Sequence, residues 1–200
     1  MKNNTNIVFL GGGGHSLSCC DILHQDKVFN LIGFIDPNKN ALLKENGYKW
    51  LGSNDTLEEV IKKYKNIFIC IGYIKKPNKR IYFYEEGKKF GGLFPILKSK
   101  FAYVSQTAFV EEGSLIMNGA NINAKVHIGK NCIINTNAVI EHGANVGNHV
   151  HIAPSATILG DVNIGDECFI GAGAIIREGI SIGKGIIIKA GELVIKNRSK

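Results

Sequence analysis

The sequence lacks several features that would assign it to other classes of protein. No run approaches the 18 consecutive apolar residues of a membrane-spanning helix, and Met1–Asn6 lacks the apolar core of a signal peptide. The five cysteines are odd in number and form no CxxC pair, which argues against a disulfide framework or a cysteine-rich zinc site. Proline is scarce, at 4 of 200 residues, so the chain is not a low-complexity polymer. We expect a cytoplasmic globular protein without a membrane partner.

Excess positive charge is confined to the first half of the chain. Residues 1–100 hold 16 Lys and Arg against 9 Asp and Glu, whereas residues 101–200 hold 8 of each. A basic half can bind nucleic acid, bind an anionic small ligand or simply form a solvated surface. The lysines form short clusters without interleaved aromatic residues or a recognisable nucleic-acid motif, so we expect no nucleic-acid partner.

A six-residue repeat runs through the second half. A Val or Ile returns at every sixth position sixteen times in succession, from Val104 to Val194. A small or aliphatic residue stands four positions after each of these from Val104 to Ile182, which gives a second series from Ala108 to Ile186 that Glu192 then breaks. A period of six is the hexapeptide signature of a parallel β-helix, in which three short strands and three turns make one coil. We therefore predict five coils over residues 104–193.

The repeat also predicts the surroundings of particular side chains. The branched residues should point into the prism, and Cys132 and Cys168 should fill its corners as packing rather than as chemistry. Five glycines directly follow the branched residue, where we expect tight turns to favour glycine: Gly129, Gly147, Gly165, Gly171 and Gly183. Flat faces rich in Val, Ile and Ala predict a symmetric homotrimer.

The first half alternates strand-like and helix-like segments. Asn6–Leu10, Val28–Ile35 and Ile67–Gly72 predict three strands with helices between and after them. This alternation indicates a parallel sheet with right-handed crossovers, and Gly91–Tyr103 is predicted to be the passage between the domains.

A glycine-rich loop lies between the first strand and its helix. The pattern Gly11-x-Gly13-x-x-Ser16 is close to the nucleotide-binding glycine fingerprint. Glycines let backbone N–H groups approach a phosphate, and the helix N-terminus favours its negative charge. Asp36, at the end of the second strand, can accept hydrogen bonds from a ribose or a base. The loop predicts a phosphate-bearing ligand.

Both halves together resemble one family, the bacterial sugar acetyltransferases of the sialic-acid and bacillosamine pathways (the PglD/NeuD type). The resemblance rests on the loop with His15, the strand ends Phe34–Asp36 and Cys70–Gly72, and the segment Asn135–His142. It implies a Rossmann-like α/β domain over residues 1–97 and an all-β left-handed parallel β-helix of hexapeptide repeats over residues 98–200. It also implies an acetyl-CoA-dependent N-acetyltransferase without a metal, acting on a nucleotide-activated amino sugar in surface-glycan biosynthesis.

The same resemblance implies the site residues. His142 corresponds to the general base of the family. The substrate contacts would be Gly13, Gly14, His15, Asp36, Pro37 and Gly72, with Asn135 as a positioning residue. The contacts to acetyl-CoA would be His151, Gly160, Ala172 and Ala190. Two departures stand out: Gly143 replaces the acidic residue that follows the base in bacillosamine-type members, and Lys196–Lys200 replaces a Gly-x-Pro-Ala-Lys tail.

Spacing alone gives His142 a partner. Residues 18 apart stack in neighbouring coils at about 4.8 Å, so His142 should lie directly against Gly160. Acyl transfer needs a base near the nucleophile and a hydrogen-bond donor near the developing oxyanion. No Cys or Ser is placed beside a base as a covalent nucleophile, so we expect direct transfer in a ternary complex.

Three other functions compete with this one. O-acetylation of sialic-acid-like sugars is the alternative within the family, and a catalytically degenerate nucleotide-sugar-binding protein is the alternative without turnover. A zinc enzyme of the β-helix fold would need a His-x4-His pair with a third histidine, whereas this chain has His149-x-His151. His127 and His149 are interpreted as structural or interfacial residues.

Overall fold

A computed structural model describes residues 5–26 and 28–199. The chain forms two compact units. The first comprises the residues up to Gly72 together with Asn78–Pro95, and the second comprises Tyr73–Pro77 together with the chain from Ile96 onward. Over the described ranges, no helix is long and apolar enough to span a membrane.

The first unit is a four-stranded parallel sheet with helices. Its elements are β1 (Thr5–Leu10), α1 (Gly14–Asp26), β2 (Phe29–Ile35), α2 (Leu42–Glu45), β3 (Trp50–Gly52), α3 (Leu57–Tyr64), β4 (Ile67–Ile69) and α4 (Asn78–Lys89), with a 3-10 turn at Asn54–Thr56 before α3. The strand order is β3-β2-β1-β4. The predicted alternation is confirmed, but β3 and α2 were missed because three or four residues are too short to show a period.

The strand order of the sheet reverses at β1. Chain progression moves outward from β1 through β2 to β3, and then β4 pairs with the other side of β1. In open parallel sheets, ligands bind outside the carboxyl ends of the strands at such a reversal. The loop after β1 and the segment after β4 both lie at this edge.

The second unit is a left-handed parallel β-helix with three sheet faces. The Leu97 face consists of Leu97–Lys98, Leu115–Ile116, Ile133–Ile134, His151–Ile152, Phe169–Ile170 and Ile187–Ile188. The Tyr103 face consists of Tyr103–Val104, Asn121–Ile122, Val139–Ile140, Thr157–Ile158, Ile175–Ile176 and Leu193–Val194. The Phe109 face consists of Phe109–Val110, His127–Ile128, Asn145–Val146, Asn163–Ile164 and Ser181–Ile182.

The hexapeptide pattern accounts for this core. From Ile116 to Val194, every Val or Ile of the six-residue series is at most 2% exposed, and strands pair with an offset of 18 residues. Cys132 and Cys168 fill corners, fully buried, and each thiol lies close to a carbonyl of the next coil. Their predicted packing role is confirmed.

The β-helix extends beyond the five coils predicted over residues 104–193. Leu97–Lys98 already pairs with Leu115–Ile116, and Tyr103–Val104 pairs with Asn121–Ile122. The strand Leu97–Lys98 does not show in the six-residue series because Lys98 stands where a Val or Ile would continue it.

The five glycines after the branched residues are also explained differently. None of them has a positive φ; instead, a Cβ on Gly171 would lie 2.4 Å from the backbone nitrogen of Ala190, and one on Gly147 2.7 Å from that of Asp166. At four of the five, the close stacking of coils excludes a side chain, whereas a Cβ on Gly183 would meet nothing closer than 3.3 Å.

The last residues cover one open edge of the prism. Arg198 pairs in parallel with Ile182: its N–H donates to the Ser181 carbonyl and its carbonyl accepts from Gly183. The Asn197 side chain accepts a further bond from Ser181 N–H at 2.9 Å. These bonds satisfy backbone groups that an unpaired edge strand would expose.

Candidate functional site

Each glycine of the loop after β1 has a different surrounding. Gly11 has φ +99°, and a Cβ on Gly12 would lie 2.7 Å from the Phe34 ring, so conformation and packing require these two glycines. A Cβ on Gly13 or Gly14 would meet nothing within 4 Å. Open space above these two residues leaves their backbone accessible to a ligand, as the fingerprint predicts.

Asp36, at the end of β2, is hydrogen-bonded to this loop. Its carboxylate accepts hydrogen bonds from the N–H groups of Gly12 and Asn38, both at 2.8 Å. The indole N–H of Trp50 donates to the Asp36 carbonyl at 2.9 Å, and the ammonium of Lys39 lies 5.7 Å from the Trp50 ring centroid. Each carboxylate oxygen of Asp36 therefore accepts one hydrogen bond from a backbone N–H. Its second lone pair is available to accept a hydrogen bond from a ligand hydroxyl such as that of a ribose.

His15 and Gly72 lie side by side at the carboxyl ends of β1 and β4. A Cβ on Gly72 would be 3.7 Å from the His15 ring. Arg80 is fully buried and donates to the carbonyls of Ile69 and, at 3.3 Å, Ile71, which holds the strand end that leads to Gly72. Of the predicted substrate residues, the structure brings those of the first unit to this one edge; Pro37 is exposed beside it.

His142 lies against Gly160, as the 18-residue spacing predicts. A Cβ on Gly160 would be 2.7 Å from Cε1 and 3.0 Å from Nε2 of the imidazole, which is itself exposed. Among the described residues, the Gly160 N–H donates to no protein group, while its carbonyl accepts from Gly179. An exposed imidazole and a backbone N–H without a protein acceptor among the described residues thus lie in stacked turns of two neighbouring coils.

The residue that follows His142 is Gly143, whose surroundings leave little space for a side chain. Gly143 has φ +70°, and a Cβ there would lie 2.1 Å from Oδ1 of Asp161. The Asp161 carboxylate occupies the space that a side chain at position 143 would need. An acid at 143 and Asp161 in this conformation therefore exclude each other.

An apolar groove of about 600 Å³ lies along the Leu97 face of the β-helix. Three of the four residues predicted to contact acetyl-CoA line it, namely His151, Ala172 and Ala190. Its other lining residues include Ile74, Lys75, Pro154, Phe169, Ile187 and Lys189. The sequence analysis did not identify these residues, because Ile74 and Lys75 lie outside the hexapeptide repeat and the others are ordinary members of it.

A hydrogen-bond chain fixes the state of His151. Its Nδ1 lies 2.8 Å from the Tyr73 carbonyl, which can only accept, so Nδ1 carries the proton. Its Nε2 then accepts from the Asn135 amide at 3.2 Å, and the Asn135 oxygen accepts from Thr136 N–H at 2.8 Å. The predicted Asn135 therefore contacts His151 rather than standing in an open site.

The groove and His142 lie at different corners of the prism. Groove residues such as Ala172 occupy turns that lead from the Leu97 face to the Tyr103 face, whereas His142 occupies a turn that leads away from the Tyr103 face. One chain therefore does not bring Gly160 and His142 together with His151, Ala172 and Ala190.

Burial raises the pKa of Cys168 and of Cys70, so both remain protonated thiols. Across residues 5–26 and 28–199, no group of three or more His, Cys, Asp or Glu side chains is placed to hold a metal ion.

Family models match both units. Residues 6–86 match the PglD N-terminal domain. Three overlapping stretches, 107–142, 126–160 and 143–177, match the bacterial transferase hexapeptide, and residues 161–195 match the hexapeptide repeat of succinyl-transferase.

Solved structures are similar over nearly the whole chain. The acetyltransferase domain of PglB from Neisseria gonorrhoeae is 26% identical, with a TM-score of 0.90 over 98% of this chain and 94% of that one. A histidine-to-asparagine variant of perosamine N-acetyltransferase from Caulobacter crescentus, in complex with CoA and GDP-perosamine, is 26% identical, with a TM-score of 0.88 over 98% and 90%. WeeI from Acinetobacter baumannii, 23% identical over 98% and 99% with a TM-score of 0.73, shares the fold.

Proposed function

We propose that the chain N-acetylates a nucleotide-activated amino sugar with acetyl-CoA, because its two halves match the models of the PglD N-terminal domain and of the bacterial transferase hexapeptide and it is similar in structure to an acetyltransferase domain over nearly its whole length. The observation that carries the proposal is the exposed imidazole of His142, held against a glycine whose N–H is free among the described residues. We expect the product to enter surface-glycan biosynthesis.

The nucleotide sugar belongs at the carboxyl edge of the first unit. The open backbone of Gly13 and Gly14 at the start of α1 suits a diphosphate. Asp36 suits a ribose or base, and Trp50 lies beside it. In the perosamine N-acetyltransferase, a GDP-linked sugar was bound together with CoA, which supports a nucleotide sugar as the acceptor in this chain.

Acetyl-CoA belongs in the apolar groove. The groove's walls of Ile187, Phe169 and Ala172 suit the apolar parts of a pantetheine arm. Lys75 and Lys189 supply positive charge for its phosphates. Acetyl coenzyme A occupies one structure of the PglB domain, which supports the same co-substrate here.

His142 would act as general base. Acetyl-CoA supplies the acetyl group as a thioester, whose carbonyl carbon the sugar amine attacks directly. His142 accepts the proton that the amine loses as the C–N bond forms, and it returns that proton to the thiolate when the C–S bond breaks. The Gly160 N–H is the donor available to the carbonyl oxygen as it gains charge.

We extend the proposal to a homotrimer located in the cytoplasm. Since His142 and the groove lie at different corners of one chain, a neighbouring copy would bring the acetyl group to the base. Co-expression of His142→Ala chains with Ala172→Arg chains should restore part of the activity that each variant lacks.

The five buried thiols suit a reducing compartment, and cell fractionation would test the location.

The test of function measures thiol release from acetyl-CoA against UDP-, dTDP- and GDP-linked 4-amino sugars and free sialic acids. We expect turnover on one nucleotide sugar and a loss of about 10²–10⁴-fold in kcat for His142→Ala. Turnover on free sialic acids would instead indicate O-acetylation, and full activity of His142→Ala would remove its assigned role.

Binding can be followed separately from turnover. Trp50 is the only tryptophan, and it contacts Asp36, so its fluorescence should change when the nucleotide sugar binds. Asp36→Ala should weaken this response, whereas the exposed Asn40→Ala should not. Tight binding without turnover would favour a degenerate binding protein.

A further inference from the structure

The segment Tyr73–Pro77 belongs to the β-helix unit although its chain neighbours on both sides belong to the first unit. Ile74 is 71% exposed and, together with Lys75, lines the apolar groove along with Phe169 and Ala172. Part of the groove therefore comes from a segment that the hexapeptide repeat does not supply.

Tyr73 holds this segment in place. Its hydroxyl donates toward the carbonyl of His149 and, at 3.0 Å, toward that of Cys168. Its ring meets His151 edge-on, with centroids 5.4 Å apart, and lies 6.3 Å from the Phe169 ring. The phenol thus contacts two coils at once, through polar and apolar atoms.

The main chain of Tyr73 is held as well. Its carbonyl accepts from Nδ1 of the buried His151, whose Nε2 accepts from Asn135. Both ends of this residue, the hydroxyl and the carbonyl, are therefore bonded to the β-helix. Ile74 follows directly, so its position along the groove depends on those bonds.

We propose that Tyr73 is a positioning residue for acetyl-CoA, which fixes Ile74 and Lys75 as a wall of the groove with the help of His151 and Asn135. The inference rests on the proposed function, because it assigns the groove to acetyl-CoA. It gives His151 an indirect role, as the support of Tyr73.

The test compares Tyr73→Phe and Ile74→Ala with the wild type. Tyr73→Phe keeps the ring and removes only the two hydroxyl contacts, and Ile74→Ala removes part of the wall without touching the anchor. We expect the Kd for CoA in calorimetry, and the KM for acetyl-CoA, to rise about 3–10-fold in each. The kcat at saturation and the KM for the nucleotide sugar should stay unchanged, a split that a purely structural role would not give.

The controls are Tyr82→Phe and Val28→Ala, which make similar changes at exposed residues outside the groove and should leave CoA binding unchanged. Wild-type protein that fails to bind CoA would contradict the proposed function. If the wild type binds CoA and both Tyr73→Phe and Ile74→Ala bind it equally tightly, this inference is wrong while the proposed function still stands. Should Tyr73→Phe fold poorly, Ile74→Ala still decides, because its exposed side chain contributes little to the core.

Discussion

Gly160→Ala is the sharpest single perturbation of the candidate base. The added Cβ would lie 2.7 Å from Cε1 of His142, whereas ordinary contact begins at 3.4 Å, so the imidazole must move by roughly 0.7 Å or more. The φ of Gly160 is not in the left-handed region, so the backbone accepts alanine and the N–H stays in place. The ring is exposed and can swing outward, so the free energy of unfolding should change by less than about 1 kcal/mol.

We expect kcat to fall about 10–100-fold, since a misplacement near 1 Å can cost about 100-fold and the whole general base contributes about 10²–10⁴-fold. The assay is steady-state thiol release at saturating acetyl-CoA. Gly183→Ala is the matched control, because its Cβ would approach nothing closer than 3.3 Å. Its kcat should equal that of the wild type.

The double variant distinguishes the mechanism. If the methyl group acts through the imidazole, Gly160→Ala should cause no further loss in a His142→Ala background. An equal fold-loss in both backgrounds would show that Gly160 acts through the fold or through acetyl-CoA. An unchanged kcat in the single variant would refute the reasoning outright.

Three further predictions concern stability. Gly143→Glu should lower the free energy of unfolding by about 1–3 kcal/mol in thermal denaturation, because φ is +70° and the Asp161 carboxylate fills the space; an unchanged Tm would contradict this. Cys132→Ser should change the free energy of unfolding by less than about 1 kcal/mol, because the serine hydroxyl can donate to the Gly147 carbonyl as the thiol does. Cys132→Leu should lower it by about 1–3 kcal/mol, because the corner has no space for a larger side chain. Equal urea midpoints for the two variants would contradict this packing. Burial raises the pKa of Cys20 from 9.0 to about 11, so the unfolded state ionises first and stability should fall as pH rises from 9 to 11, less so in Cys20→Ala.

The sequence by itself determined the β-helix and the pairing of His142 with Gly160. A strict period of six and a coil of 18 residues translate directly into stacking, because each coil repeats the same three strands without an insertion. The glycine loop and the end of β2 were likewise predictable, since strand ends of a parallel sheet meet at one edge. The six-residue series alone does not show the first strand at Leu97–Lys98, because Lys98 stands where a Val or Ile would continue the series.

Only the tertiary structure decided how the groove is built and why residue 143 is glycine. Tyr73 and His151 are 78 positions apart, and no local pattern predicts that a phenol anchors one loop across two coils. The collision between position 143 and Asp161 depends on side-chain direction in the next coil, which composition and spacing do not contain. Periodicity reports which face a residue occupies, whereas contacts between distant segments depend on how the folded chain fills space.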